Sequence, residues 1–401
     1  MRVLSLFDGM SCGQQALERI GLKVDEYFAS EIDKYAIQVT MANYPTTIQL
    51  GSVVDVNGYE LPKIDLLIGG SPCQSFSFAG KRKGMSTKDE QEILTLEHYL
   101  QLKSEGYEFE GQSYLFWEYM RLLNEVKPKY FLLENVMMGE KWEKVLSKAI
   151  GVNAIEINSS LVSAQNRRRL YWTNIGMESA GLFGDLESII QQPKDKGILL
   201  KDILQDNPNY KYFVSQKMID KIKRSNNGDK CIQINNKSLC LASGYYKQGR
   251  DNQYIPIDEK YFLSDKMISW LDRHALKRDV DVKKLDGNQK SSCLTSSAQT
   301  KQNLSTDYIV HNTMPRSSTT GKGGTGPLSR TDGKTYCLDT GQSNEIEIKN
   351  SRIRRLTPIE CERLQTVKDN YTNHVSDSQR YRMLGNGWTV DVIAHIFGYL
   401  K

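Results

Sequence analysis

The sequence contains no apolar run of about 18 residues, the least that crosses a bilayer as a helix, so no membrane span is expected. Its opening, "MRVLSLFDGMSCG", turns acidic and glycine-rich at once. A secretory leader needs a longer apolar stretch and a small-residue cleavage site, so a cytoplasmic protein is expected. Cysteine is sparse and unpatterned: seven residues, at 12, 73, 231, 240, 293, 337 and 361, with no Cys-x-x-Cys. The five histidines, at 98, 274, 311, 374 and 395, are equally scattered. These spacings exclude a disulfide framework and suit no metal, so reduced thiols and no metal ion are expected. Charge of one sign is also lacking. A net charge of +5 is a weak argument for nucleic acid. Local clusters say more: "KRK" at 81–83, "RRR" at 167–169 and "RIRR" at 352–355, although any one of them alone fits a solvated face equally well.

The chain does have length and an ordinary globular composition. Its 401 residues are 39% hydrophobic and 25% charged, enough for two or three domains and at least one unstapled core. The first ~175 residues alternate between strand and helix patterns. Strands are expected at "RVLSLF" (2–7), "EYFASEI" (26–32), "IDLLIGG" (64–70), "YFLLENV" (130–136), "VNAIEINSSL" (152–161) and "RRLYWTNI" (168–175). Helices are expected at 12–21, 34–45 and 113–128. Near-continuous apolar strands with helices between them predict a doubly wound, Rossmann-like α/β domain with a parallel sheet covered on both faces. The polar stretch 86–112 reads as an insertion or mobile lid outside the core.

Beyond about 180 the composition turns to Asn, Ser, Thr, Gly, Lys and Asp, and internal similarity appears. "KYFVSQKMI" (211–219) recurs as "KYFLSDKMI" (260–268). "KSLCLAS" (237–243) recurs as "KSSCLTS" (290–296) and, loosely, as "KTYCLDT" (334–340). "TTGKGGTGPLSRTDG" (319–333) is a Gly-rich loop that lets backbone approach a ligand. From 351 the α/β character returns with a helix started by Thr357-Pro358 and a final apolar-striped helix. Three parts are expected: 1–180, a catalytic and cofactor-binding domain; 181–350, a variable domain with duplicated units; and 351–401, returning to the first.

Candidate chemistry gathers at strand ends, where open parallel sheets form their ligand crevice. In "LFDGMSCG", Phe7, Asp8, Gly9 and Gly13 lie between a strand and a helix, and Glu31 follows about 20 residues on, placed to bond ribose hydroxyls. Asp55 ends a further stretch. The turn is not Gly-x-Gly-x-x-Gly, so an adenosine-like ligand is favoured over a dinucleotide. Cys73 follows "LLIGGSP", with Pro72 fixing the approach of a thiol that neighbouring cations would favour as thiolate. Glu134 and Asn135 end another strand, where a carboxyl can engage a ring nitrogen. "QNRRRLYW" offers Gln165, Arg167 and Arg169 with alternating direction, and one guanidinium there can join a carbonyl to a carboxylate.

With these residues in view, the sequence resembles the cytosine-5 DNA methyltransferases, of bacterial and phage type. The resemblance covers 1–175 and 351–401 in linear order: Phe7 to Gly13, Pro72-Cys73-Gln74, Glu134-Asn135-Val136, Gln165-x-Arg167-x-Arg169, Arg354-x-Leu356-Thr357-x-x-Glu360 and Gly385-Asn386. The resemblance implies that cytosine is flipped from duplex DNA, that Cys73 attacks C6, that Glu134 engages N3, and that Arg169, with Arg167 beside it, serves the O2 side. It implies S-adenosylmethionine as methyl donor, leaving S-adenosylhomocysteine, held by Phe7, Asp8, Gly9, Gly13, Glu31, Ile32, Asp55, Pro72, Leu115 and Asn386. Glu31 would hold the ribose and Asp55 the adenine amino group. Gln74, Ser75, Lys81, Arg82, Lys83 and Gln165 would meet DNA, the basic loop closing on phosphates. The middle corresponds to the family's target-recognition domain, so the duplicated units in 205–345 are expected to read DNA.

Departures are Ser71 where the family has a first proline before Pro-Cys, and "DGMSCG" where it has Gly-x-Gly-Gly. The alternatives are an RNA cytosine-5 methyltransferase, disfavoured by the large middle domain, and a DNA-binding homologue without catalysis, disfavoured by intact Cys73, Glu134 and Arg169. A monomer is expected, with a restriction endonuclease as the candidate functional partner and a prokaryotic or phage-infected cell as the setting.

Overall fold

The computed structural model describes residues 1–72, 85–88, 91–109, 111–180, 185–206, 208–214, 218, 221–222, 224, 231–247, 252–256 and 353–400, with strand backbone at 308–312, 328–330 and 344–348. By its contacts the chain divides into two compact units. The first is Met1–Asp206, Asp229–Gln253 and Leu356–Lys401; the second is Asn207–Gly228 and Tyr254–Arg355. The Gly-rich loop and the later copies of both repeated motifs lie outside the described residues, save for short strand backbone.

The first unit is built on a seven-stranded sheet, ordered β3-β2-β1-β4-β5-β7-β6. Its strands are β1 (Arg2–Leu6), β2 (Glu26–Ser30), β3 (Ile48–Gln49), β4 (Leu66–Gly70), β5 (Tyr130–Val136), β6 (Ile155–Asn158) and β7 (Arg168–Thr173). Strands β1 to β5 pair in parallel, as their apolar runs predict. Strand β7 departs from that expectation and runs antiparallel to both β5 and β6. Its connection from Asn158 to Arg168 is too short for a crossover helix, and only an antiparallel neighbour can be reached that way.

The strand period of two divides the core. Leu4, Leu6, Leu67, Leu133, Leu170 and Trp172 face one side. There they pack with Phe116, Trp117 and Tyr119 of helix α4 (Leu115–Val126) and Trp142 of α5 (Glu140–Ile150). Ile68 faces the other side, against α1 (Cys12–Arg19), where the absent side chain of Gly13 leaves room for it. Helix α2 (Lys34–Asn43) ends before Pro45, and its Asp33 cap accepts from the Tyr35 amide.

The stretch expected outside the core, 86–112, puts Ile93, Tyr99 and Leu102 into the same buried cluster as the sheet, beside Met85 just before it. Helix α3 (Leu96–Ser104) presents Tyr99 and Leu102 at i, i+3 spacing, which puts them on one face. The Tyr99 hydroxyl and Lys103 ammonium both meet the fully buried Glu118 of α4 at 2.5 Å.

A short hairpin, β8 (Met177–Ala180) with β9 (Asp185–Ser188), follows the sheet. In the second unit β10 (Tyr254–Pro256) pairs with β14 (Ile353–Arg355), and β11 (Tyr308–Asn312) lies between β12 (Leu328–Arg330) and β13 (Asn344–Ile348). The first unit then closes with α6 (Pro358–Leu364), α7 (Asp377–Asn386) and α8 (Val390–Phe397). Thr357 and Glu360 form the capping box at α6 that the Thr-Pro start foreshadowed. Among the described residues no helix is long and apolar enough to cross a membrane.

Candidate active site

The turn after β1 is the most strained described stretch of the crevice. Phe7, Gly9 and Ser11 all have positive φ, at 58°, 59° and 60°, and two of the three are not glycine. Glu31 secures it. One carboxylate oxygen accepts from the Gly9 amide at 2.7 Å, and the other from the Ile32 and Asp33 amides at 2.8 Å. An acid about twenty residues after the turn is therefore its fastener as well as a ligand candidate.

Asp8 accepts from the Tyr27 hydroxyl at 2.8 Å through Oδ1, while its buried Oδ2 makes no hydrogen bond. Burial pushes its carboxyl up to about 6, partly offset by the hydroxyls of Ser5, Tyr27 and Ser11. Ile32 is 71% exposed, an apolar side chain left bare at a strand end. Asp55 is exposed, and Phe7 and Leu115 are half-buried against the core cluster. These residues suit S-adenosylmethionine: apolar faces for adenine, acids for hydroxyl and amino groups, and an unsatisfied carboxylate oxygen for an ammonium. Asn386, the last residue of α7, is exposed.

The loop bearing Asp55 is clamped from α4. Arg121 donates to the Val53 and Val56 carbonyls at 3.1 and 3.0 Å, and Glu125 accepts from the Gly58 amide at 2.8 Å. Arg121 in turn pairs with Glu118 at 2.7 Å, the carboxylate that also holds α3. Buried acids of this kind look like surface acids in a sequence, and neither Glu118 nor Arg121 was expected here.

At the carboxyl end of β5, Glu134 is 8% exposed. Its Oε1 meets Arg169 Nε at 3.0 Å, and its Oε2 accepts from the Trp388 indole at 3.2 Å. Beside it Gly70 ends β4 in register with Glu134, leading into Ser71 and Pro72. Asn135 donates to the Ser71 hydroxyl at 3.0 Å. Cys73, Gln74, Ser75, Lys81, Arg82 and Lys83 lie outside the described residues. Cys12 is a poor nucleophile: burial raises its thiol to about 12.

Arg167 and Gln165 are placed otherwise than their candidate roles suggest. Arg167 is 3% exposed and donates to the carbonyls of Leu241, Gly385 and Gly387 at 3.0 to 3.2 Å. Burial lowers its pKa, and the nearby charge of Arg169 adds to this. Gln165 is 0% exposed and was expected at DNA. Its amide instead bonds Leu241, Leu364 and Gln365, so its side chain has no surface to offer. Both lie before β7 begins at Arg168, whereas Arg169 is inside the strand and, by its register with Val136, on the face that carries Glu134. The expected KSLCLAS repeat supplies part of this cradle, with Lys237 on the carbonyls of Ser160, Ser163 and Ile198.

A mostly parallel sheet with flanking helices and a strand-end crevice gives the chain a Rossmann-like α/β fold. Its fold is similar over the whole chain to the Entamoeba histolytica methyltransferase EhMeth, at TM-score 0.57 and 15% identity, covering 99% of that chain. It is similar also to Spodoptera frugiperda DNMT2, at TM-score 0.55 and 19% identity, covering 99% of that chain. A family model for C-5 cytosine-specific DNA methylases matches residues 1–401, and the chain belongs to that family. Among its relatives, the orphan methyltransferase M.SPRI of Bacillus phage SPR is 27% identical, over 99% of this chain and 96% of its own. The type II methyltransferase M.HgiCI of Herpetosiphon aurantiacus is 26% identical, over 96% of this chain and 93% of its own. Membership gives the reaction class, methyl transfer to cytosine in DNA with S-adenosylmethionine as donor.

Proposed function

We propose that the protein methylates C5 of a cytosine flipped out of duplex DNA, through a transient bond between Cys73 and C6. The observation that carries this reading is the Arg169–Glu134 pair on adjacent strands, 3.0 Å apart, beside the strand that leads into Pro72-Cys73. S-adenosylmethionine, when bound, supplies an electrophilic methyl group. Phe7, Ile32 and Leu115 are proposed to pack on its adenine, Asp55 and Glu31 to take its amino and ribose groups, Asp8 its ammonium, and Gly9, Gly13, Pro72 and Asn386 to shape the crevice.

The Cys73 thiolate adds to C6, and the displaced electron pair moves into the ring toward C5 and N3. Glu134 protonates or hydrogen-bonds N3 as that charge develops. Arg169 holds both Glu134 and the cytosine O2, a use suited to a planar fork of donors. The addition makes C5 nucleophilic toward the methyl group. Loss of the C5 proton to a base then re-forms the ring double bond and expels the Cys73 thiolate. Arg167 is a positioning residue that ties β7 to the end of α7. Lys81, Arg82 and Lys83, with Gln74 and Ser75, are proposed to close on the DNA backbone. We further propose a monomer with a restriction endonuclease as its functional partner.

Duplex DNA carrying 5-fluorocytosine at the target tests the adduct. Fluorine cannot leave as a proton, so the wild type with S-adenosylmethionine should give a denaturation-resistant complex. Cys73→Ala should give none while still binding DNA, because phosphate contacts dominate affinity. An adduct that persists in Cys73→Ala, or maps to Cys12 or Cys361, would overturn the assignment.

A further inference from the structure

Trp388 follows the end of α7, and its indole N–H donates to Glu134 Oε2 at 3.2 Å while Arg169 holds Oε1 at 3.0 Å. The neighbouring strand makes room for this contact. A Cβ on Gly70 would stand 2.8 Å from Trp388 Nε1 and 3.1 Å from Glu134 Oε2. The three residues come from β4, β5 and the turn before α8, so the contact joins parts of the chain far apart in sequence.

We propose that Trp388 is a positioning residue for the Glu134 carboxylate, fixing its plane jointly with Arg169. The proposal rests on the reading of Glu134 as the group that engages cytosine N3. A carboxylate gripped at one oxygen still turns about its last torsion, whose well is broad. Gripped at both, it presents one geometry, and a positioned proton-transfer group depends on that. The other groups that act on Glu134 are Arg167 just before β7, Arg169 and Tyr171 within it, and the Cys12 thiol of α1. Arg169 already pairs with it directly. Trp388 carries no charge at any working pH, so it acts on Glu134 through a hydrogen bond alone.

The test is methyl transfer by the full chain, with kcat and KM measured separately. Glu134→Gln gives the rate left without this carboxylate. Trp388→Phe keeps an aromatic ring and removes the donor. kcat should fall by roughly tenfold to a hundredfold, the effect of one charge-assisted hydrogen bond, while KM for DNA and for S-adenosylmethionine stays near wild type. Gly70→Ala pushes on the same contact from β4 and should give the same fall in kcat, so the idea stays testable should Trp388→Phe fold poorly. Wild-type kcat in both variants, with Glu134→Gln inactive, overturns the role of Trp388 alone. An undiminished rate in Glu134→Gln overturns both this role and the reading of Glu134 beneath it.

Discussion

Asn135 and Ser71 meet across adjacent parallel strands, the Asn135 amide donating to the Ser71 hydroxyl at 3.0 Å with both side chains buried. Asn135 also turns its carbonyl back to the Val136 amide at 2.8 Å, so the side chain is held at both ends. Serine, where the family pattern has proline, thus fastens the stem of the Pro72-Cys73 loop to the strand that carries Glu134. Ser71→Ala should strand a buried amide donor and cost about 1–3 kcal/mol of stability, read from denaturant midpoints at unchanged slope. Midpoints equal to wild type would mean that the hydrogen bond contributes nothing net.

Arg121 touches no candidate ligand position, yet its two carbonyl contacts flank Asp55. Arg121→Lys keeps the charge but loses the planar fork. S-adenosylmethionine binding should weaken by about tenfold, the scale of one lost buried hydrogen bond. Titration calorimetry checks this, and unchanged affinity would separate the 53–56 loop from the cofactor.

Asp8 links stability to pH. Its carboxyl stands at about 6 against an ordinary 3.8, so the folded chain keeps a proton that the unfolded chain releases. The stabilising contribution is complete below 3.8 and is lost as pH rises through about 6. Asp8→Asn cannot ionise. Its stability relative to wild type should therefore increase between about pH 4 and pH 7, and parallel unfolding curves across that window would refute the assignment.

Specificity should be exchangeable at a defined seam. Strands β10 and β14 pair antiparallel with Pro256 opposite Ile353, so the segment 257–352 is joined at both ends to neighbouring points of the second unit. Substituting a related enzyme's segment between these residues should change the methylated sequence, read by bisulfite sequencing, and spare adduct formation. An unaltered target would place recognition elsewhere in the chain.

The strand ends that carry Gly9, Glu31, Ser71 and Glu134 were legible because three signals coincide there: apolar runs, glycines at their ends, and polar residues just beyond. The α6 cap was legible from Thr357-Pro358 and Glu360. Reversal of β7 was hidden, since strand patterning carries no direction; only the length of the preceding connection does. The burial of 91–109 was obscured by its charge content, although Tyr99 and Leu102 kept helical spacing. Glu118, Arg121 and Trp388 were missed for a common reason. Each takes its role from a partner distant in sequence, and no local pattern marks a buried carboxylate or an indole that meets one. Gln165 and Arg167 shared a motif with Arg169, but the motif does not say which member faces the crevice.

The return of 356–400 to the first unit has a consequence for biogenesis. Tyr371 bonds the Met10 carbonyl at 2.8 Å, Arg19 bonds the Thr366 carbonyl at 2.7 Å and pairs with Asp391, and α8 lies against α1. Until that segment emerges from the ribosome, α1 lacks its α8 neighbour and Glu134 lacks its indole donor. Contacts of such sequence separation form slowly and leave apolar surface open to aggregation or chaperone capture.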